Sequence, residues 1–237
     1  MEIFLDTADI DEIERWLECG ILDGVTTNPS IMLKDGGYDL QRRGVEIARL
    51  VEPRPVSLEV TSNDPEEMVS QARTFAEWAP NIVVKIPVIT EFGRPCLGAV
   101  RRLEREGIRI NMTACLSYGQ ALLGAKAGAT YVSIFAGRVA DEGGDAPALI
   151  HAVRAWLDLW GCPSKIIVGS IRSAIDIQTA AQAGAHVVTA PPAFLDKFVD
   201  HKYSRETVRG FNADAHEALA KMEELQAVAV RTRKDGS

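Results

Sequence analysis

Two hydrophobic rhythms alternate along this chain. Short β-branched or apolar runs fall at Glu2–Asp6, Gly24–Thr27, Val56–Val60, Ile82–Pro87, Arg109–Ala114, Tyr131–Phe135, Lys165–Gly169 and His186–Ala190. Most are near-continuously apolar, as strands buried on both faces should be. Between them lie stretches with apolar residues at helical spacing. Asp9–Cys19 places Ile10, Ile13, Trp16 and Leu17 on one face, with Thr7 or Asp9 as cap and Gly20 as stop. Pro65–Ala79, Pro95–Glu106, Ser117–Ala127, Asp145–Trp160 and Ser173–Ala183 read the same way. Gly107, Gly128 and Gly184 each end a helix before a strand. Strand–helix alternation repeated eight times between residues 2 and 190 predicts an α/β fold, the (β/α)8 TIM barrel. The rival is a doubly wound open sheet, and no G-x-G-x-x-G follows the first strand. A further helical stretch over about 205–231 lies outside the repeats and is expected to cover the barrel or another subunit. Residues 232–237 read as a polar, frayed tail. No linker divides the chain, so residues 1–237 are expected to form one domain.

Composition narrows the function classes. Of 237 residues, 46% are hydrophobic and 25% charged, enough for a full core, and the formal charge is -7. Nothing resembles a basic stripe that could track phosphates along a duplex, so no nucleic-acid partner is expected. No apolar stretch is long enough to span a bilayer, and Met1-Glu2-Ile3-Phe4-Leu5-Asp6 lacks a signal-peptide pattern. Cys19, Cys96, Cys115 and Cys162 are scattered without a CxxC, which points to free thiols in a reducing cytoplasm. The histidines His151, His186, His201 and His216 are dispersed too, so no metal and no cofactor is expected.

Candidate chemistry begins with Lys85, which interrupts Ile82-Val83-Val84-Lys85-Ile86-Pro87-Val88. A lysine there must be paired, be desolvated with a lowered pKa, or line a cavity. A desolvated neutral amine can attack a carbonyl to form a Schiff base. Alternatively, it ends its strand and reaches solvent. Catalytic groups of such barrels come from the C-terminal ends of strands, and here those ends are polar. Strand alternation pairs Phe4 with Asp6, Thr26 with Asn28, Ser57 with Glu59, Val83 with Lys85, Asn111 with Thr113, and Val168 with Ser170. One such residue means little, because Asp6-Thr7 is a common helix cap and Asn28-Pro29 a common turn. Six at the same end of different strands suggest a shared cavity. Separately, Arg138 follows the sixth strand, and Ser170-Ile171-Arg172 opens the helix after the seventh, where backbone N–H groups favour an anion. Two arginines add charge-assisted phosphate contacts, unless both are solvated loop residues.

At this point the chain becomes recognisable. Phe4-Leu5-Asp6-Thr7-Ala8, Gly24-Val25-Thr26-Thr27-Asn28-Pro29-Ser30, Val83-Val84-Lys85-Ile86-Pro87, Gln120-Ala121 with Ala125-Lys126-Ala127-Gly128-Ala129, and Gly137-Arg138 resemble the transaldolase family. The likeness is to its short branch, which also holds the fructose-6-phosphate aldolases, and it covers roughly residues 2–215. It implies a metal-free mechanism on sugar-phosphate substrates. Lys85 would be the Schiff-base nucleophile and Asp6 the general base at the C4 hydroxyl. Glu59 and Thr113 match positions that hold a catalytic water. Thr26, Asn28 and Asn111 match or adjoin substrate-positioning residues, and Asn111 could equally be structural.

The same likeness bears on transfer against release of the three-carbon unit. Glu59 and Phe135 are similar to the transaldolases, where the aldolase branch tends to glutamine and tyrosine, which favours transferase. Phe135 is also what simple barrel packing would place there. Ile134 replaces a usual proline, and Cys115-Leu116 stands where an apolar residue and phenylalanine are common. Both departures are expected to reshape the acceptor pocket, leaving room for a specialised transaldolase making a longer-chain sugar phosphate. A non-catalytic sugar-phosphate-binding barrel should lack Lys85, Asp6 or Glu59. A deoxyribose-phosphate-type aldolase should show a second lysine at a strand end. The resemblance also implies a homo-oligomer, a pentamer or decamer, with Phe211, Leu219, Met222 and Leu225 as anchors. The tryptophan usual beside Asp214 is missing.

Overall fold

The computed structural model describes residues 1–234, with side chains described as far as residue 229. The chain divides into two compact units, the first Met1–Leu195 and the second beginning at Asp196. In the first unit, eight parallel strands close a barrel in sequence order: β1 (Glu2–Asp6), β2 (Gly24–Thr26), β3 (Val56–Glu59), β4 (Ile82–Pro87), β5 (Ile110–Cys115), β6 (Tyr131–Phe135), β7 (Lys165–Gly169) and β8 (Val187–Ala190). The fold is the (β/α)8 barrel that the alternation predicts. β8 pairs back onto β1 through Phe4 and Thr189, so no sheet edge is left open.

The helices between strands are α1 (Ile10–Glu18), α2 (Pro29–Lys34), α3 (Leu40–Val51), α4 (Pro65–Ala76), α5 (Leu97–Arg105), α6 (Tyr118–Ala127), α7 (Ala136–Asp141), α8 (Ala146–Leu159) and α9 (Ala174–Gln182), with α10 (Pro192–Val199) after β8. Side chains cap most of them at the N-terminus. Asp9 accepts from Asp11 and Glu12 at α1, Asp64 from Glu66 and Glu67 at α4, and Ser117 from Gln120 at α6. The sequence pattern does not predict α2, α3, α7 or α10. α2 and α7 span only six residues each, too few for a helical period to register. α3 carries Gly44 in the middle of its apolar face, where Leu58 Cδ1 would lie 2.9 Å from any added Cβ.

Apolar side chains occupy two separate places. Most pack between the strands and the outer helices, including Leu5, Val25, Leu58, Val84, Ile86, Met112, Ile134 and Val168. A smaller cluster of Phe4, Val83, Tyr131, Ile167 and Val187 fills the barrel interior, with the Phe4 and Tyr131 rings meeting edge to face at 6.1 Å. Gly24 leaves room for the Phe4 ring, which approaches to 2.7 Å of where a Cβ would stand. This apolar plug closes one end of the barrel and leaves the C-terminal strand ends to polar residues.

The second unit is dominated by one helix, α11 (Lys202–Lys234), which extends beyond the stretch the pattern predicts at both ends. The expected tail is therefore helical as far as Lys234, and residues 235–237 lie outside the described residues. Phe211, Leu219, Met222 and Leu225 are all exposed on α11. Among the described residues, no helix is long and apolar enough to cross a membrane.

Candidate active site

The C-terminal strand ends enclose a cavity of about 180 Å³, lined by Asp6, Thr26, Asn28, Lys85, Asn111, Ser133, Phe135, Arg138, Gly169, Ser170 and Thr189. Strand register brings its central groups together with Glu59, which is not itself on the cavity wall. Asp6 lies opposite Thr26, Glu59 opposite Lys85, and Lys85 opposite Asn111. Lys85 is buried, its side chain 8% exposed, yet it reaches the cavity. Nζ sits 2.9 Å from Glu59 Oε2 and donates to the Thr27 carbonyl at 3.1 Å. Two of the possibilities posed by a lysine in an apolar strand are thus met together, since it is paired and it lines a cavity.

Asp6 accepts a hydrogen bond from Thr26 Oγ1 at 2.7 Å. Thr26 has one proton to give, so Thr189 donates in turn to Thr26. The helix cap is Asp9, not Asp6, which leaves the Asp6 carboxylate to the cavity. Burial pushes Asp6 above the usual carboxylate range. Lys85 and the Thr26 hydrogen bond pull it down, whereas Glu59 and Asp35 push it further up. The segment after Asp6 is tied in place from outside β1. Asp35 accepts from Thr7 Oγ1 at 2.8 Å and from the Ala8 N–H at 2.9 Å, and Arg43 donates to the Ala8 carbonyl at 3.3 Å.

Below these groups lies a polar layer. Asn111 donates to Ser57 Oγ at 3.2 Å and accepts from Ser133 Oγ at 2.7 Å, and all three are buried. Asn111 is thus both a network member and part of the cavity wall. Asn28 also has two roles: its Oδ1 caps α2 by accepting from the Ile31 N–H, and the residue lines the cavity. Ser57, Ser133 and Thr189 are absent from the residues singled out in the sequence as site candidates. Alternation reaches all three, because Ser133 is two residues before Phe135 and Thr189 two after Val187.

Thr113 is not among the cavity-lining residues, and it borders an irregularity in β5. Between Met112 and Cys115 the register of β5 against β6 shifts, and Ala114 adopts a left-handed φ of 60°. Such a bulge re-aims the side chains around it. Thr113 is buried, and its Oγ1 has no hydrogen-bond partner. The two departures expected to reshape the acceptor pocket do not line the cavity. Ile134 and Cys115 are fully buried in the core between strands and helices, Ile134 because alternation turns it outward and Cys115 because the bulge shifts it off the face of Asn111, and Leu116 is an exposed loop residue.

At the arginines the structure divides the expectation. Arg138 lines the cavity from α7, its Cζ 5.7 Å from the centre of the Phe135 ring. Ser170 lines it from the end of β7, in a left-handed conformation at φ 58° that few non-glycine residues adopt. Its carbonyl accepts from the Gly137 N–H at 3.1 Å. Arg172 is not on the cavity wall. Its guanidinium donates to Asp141 Oδ2 at 2.6 Å, at the edge of a neighbouring groove of about 530 Å³ between α7, α8 and α9. At the α9 N-terminus, two of the N–H groups that could face an anion are already taken, because Asp176 Oδ2 accepts from Arg172 N–H at 2.8 Å and Ser173 N–H at 2.9 Å, just before the helix. Among the described residues, no group of three or more His, Cys, Asp or Glu side chains gathers in metal-holding geometry.

Comparison with known proteins agrees with this geometry. A family model described as transaldolase/fructose-6-phosphate aldolase matches residues 3–236. A Dehalococcoides mccartyi protein named "Probable transaldolase" is 42% identical over 90% of this chain and 97% of its own. A Listeria monocytogenes protein named "Probable transaldolase 2" is 44% identical over 90% of this chain and 95% of its own. A crystal structure of a "putative phosphonomutase" from Burkholderia cenocepacia superposes with a TM-score of 0.56 at 16% identity, covering 90% of this chain and 94% of that one. At that identity the likeness speaks to the barrel alone. The family match over nearly the whole length and the identity to these relatives place this chain in the transaldolase/fructose-6-phosphate aldolase family.

Proposed function

We propose that this chain is a transaldolase that carries a dihydroxyacetone unit from a ketose phosphate to an aldose phosphate as a Schiff base on Lys85. The observation that carries the reading is the buried Lys85 amine, 2.9 Å from Glu59 and on the same small cavity as Asp6. Among the described residues lining that cavity, Lys85 is the one lysine, which disfavours the two-lysine aldolase alternative.

The chemistry follows from the contacts. Glu59 takes a proton from the Lys85 ammonium, and the freed amine attacks the ketose C2 carbonyl. Loss of water from the carbinolamine gives an iminium, with Thr113 Oγ1 and Glu59 holding the water that shuttles protons. Asp6 then removes the C4 hydroxyl proton. The C3–C4 electron pair moves into the iminium, the aldose phosphate leaves, and the enamine stays on Lys85. A carboxyl held above its usual range by burial is a better base near neutral pH. The acceptor aldehyde reverses these steps. Asn28, Thr26 and Asn111 hold the dihydroxyacetone hydroxyls, while Arg138, Ser170 and Arg172 take the phosphate. Transfer is favoured over release because Phe135 puts an apolar ring, without a hydroxyl to protonate the enamine, on the cavity wall. The donor is a ketose phosphate, fructose 6-phosphate or sedoheptulose 7-phosphate. The protein acts in the cytoplasm as a homo-oligomer, and the exposed apolar residues of α11 support the latter.

Borohydride added with fructose 6-phosphate tests the mechanism. A stable adduct on Lys85, absent from Lys85→Ala, is expected. Trapping on another lysine, or full activity in Lys85→Ala, refutes it. Turnover with erythrose 4-phosphate and little without it separates transferase from aldolase.

A further inference from the structure

Arg172 presents a puzzle, because it is placed beside the cavity yet bound to a carboxylate. Its NH2 donates to Asp141 at 2.6 Å, and both side chains are about half exposed. Asp141 is the last residue of α7, where the helix dipole favours a cation rather than a carboxylate, so capping does not explain it. Three residues earlier on the same short helix, and so on the same face, Arg138 lines the catalytic cavity. Gly137 immediately precedes Arg138 on this helix. The point its absent Cβ would occupy is 2.8 Å from Arg172 Nε and 2.9 Å from Ser170 Oγ. The Nε edge of Arg172 therefore lies next to Ser170, which is on the cavity wall.

Resting on the transaldolase reading for its substrate, we infer that Asp141 is a positioning residue for the phosphate end of the sugar. It holds Arg172 by one of the five guanidinium N–H donors and leaves the others for the phosphate. Without it, a long and rotamer-rich side chain must be ordered at the moment of binding. α7 then organises the anion subsite: Arg138 contacts the ligand, Gly137 lets Ser170 and Arg172 close against the helix, and Asp141 sets the direction of Arg172. The role requires no transfer of charge or proton, and Asp141 does not touch substrate.

Asp141→Asn tests this, with Asp141→Ala as a second variant, in the full chain. Calorimetric titration with inorganic phosphate reads the subsite independently of turnover. Steady-state kinetics with fructose 6-phosphate read it in the reaction. Ordering one such side chain is worth roughly a 3- to 10-fold loss of phosphate affinity and a matching rise in KM. kcat at saturation should stay within about twofold, because the contact is equal in ground and transition states. In the double variant with Arg172→Ala, the Asp141 change should add nothing further, since it acts only through that arginine. The inference is overturned if Asp141→Asn leaves phosphate affinity unchanged or tightens it. It is also overturned if the two changes add in full, or if the native protein does not bind phosphate. Failure of Lys85 trapping alone would sink the transaldolase reading while leaving the phosphate titration interpretable.

Discussion

Gly137→Ala is the smallest change that probes how the substrate subsite is built. The added Cβ would lie 2.2 Å from the Ser170 carbonyl oxygen, 2.9 Å from Ser170 Oγ and 2.8 Å from Arg172 Nε. A carbon and a carbonyl oxygen rest at about 3.3 Å, so the Ser170 backbone must retreat by about 1 Å. That residue cannot move freely. It already holds a left-handed φ of 58° and its carbonyl accepts from the Gly137 N–H. Displacement of a positioning group by about 1 Å can cost roughly 100-fold in rate, and overpacking a close contact about 1–3 kcal/mol. A fall in kcat/KM for phosphorylated donors of roughly 10- to 100-fold is therefore expected, with Tm lower by about 2–10 °C. Gly119→Ala is the control, because Gly119 lies in α6, exposed, with nothing within 4 Å of its Cβ position. There alanine should stabilise by up to about 1 kcal/mol and leave the kinetics alone. A coupled assay on fructose 6-phosphate and a thermal melt decide the matter. Wild-type kinetics and Tm in Gly137→Ala would show that α7 and the Ser170 turn do not lock together.

Other outcomes follow from the same contacts. Glu59→Gln keeps the shape beside Lys85 but cannot take its proton, so imine formation measured by the rate of borohydride trapping should slow by roughly 100- to 10,000-fold. Equal trapping rates would remove Glu59 from that step. Asp6 holds its proton more tightly folded than unfolded, so its protonated form contributes stability that is full below pH 3.8 and lost as pH rises through the raised value. Asp6→Asn should therefore abolish cleavage yet raise Tm at pH 7, and a lower Tm there would contradict the burial argument. The acid limb of kcat/KM should lie above the ordinary aspartate range and move to lower pH in Asp35→Asn, which removes a nearby negative charge while Lys85 and Glu59 remain. Phe135→Tyr should raise the release of free dihydroxyacetone relative to transfer, measured by product analysis without an acceptor. An unchanged ratio would make Phe135 mere packing.

The barrel was legible because its signals are local and repeated. Each strand carries its own apolar run, and each major helix its own cap or C-terminal glycine, so eight weak signals agree. The strand-end polar residues were legible for a related reason. Period-two alternation fixes which side chains share the interior, and Asp6, Thr26, Lys85 and Asn111 obey it. The same rule reaches Ser57, Ser133 and Thr189, but those look like ordinary small residues in a strand, although Ser133 and Thr189 line the cavity. What alternation cannot give is the bulge at Thr113 and Ala114, since an extra residue on one strand depends on pairing with β6. Nor could it show that Cys115 turns away from the cavity, because that too depends on the bulge.

Arg172 illustrates a different limit. Sequence proximity put Ser170 and Arg172 together, and a helix following a strand suggested free N–H groups for an anion. The capping box formed by Asp176 takes two of those groups, and Asp141, thirty-one residues away, takes the guanidinium. Both carboxylates are ordinary by composition and neither lies in the motifs that mark the family likeness. Their effect depends on α7 packing beside the Ser170 turn, which requires a glycine at position 137. On the proposed reading, the subsite is therefore specified by one missing methyl group and one carboxylate on a six-residue helix that no periodicity could reveal. Lys85 and Asp6 sit on strands whose position the whole barrel fixes. The proposed phosphate end rests instead on short local contacts, so on that reading substitutions in α7 are where substrate preference can change while the Schiff-base machinery stays intact.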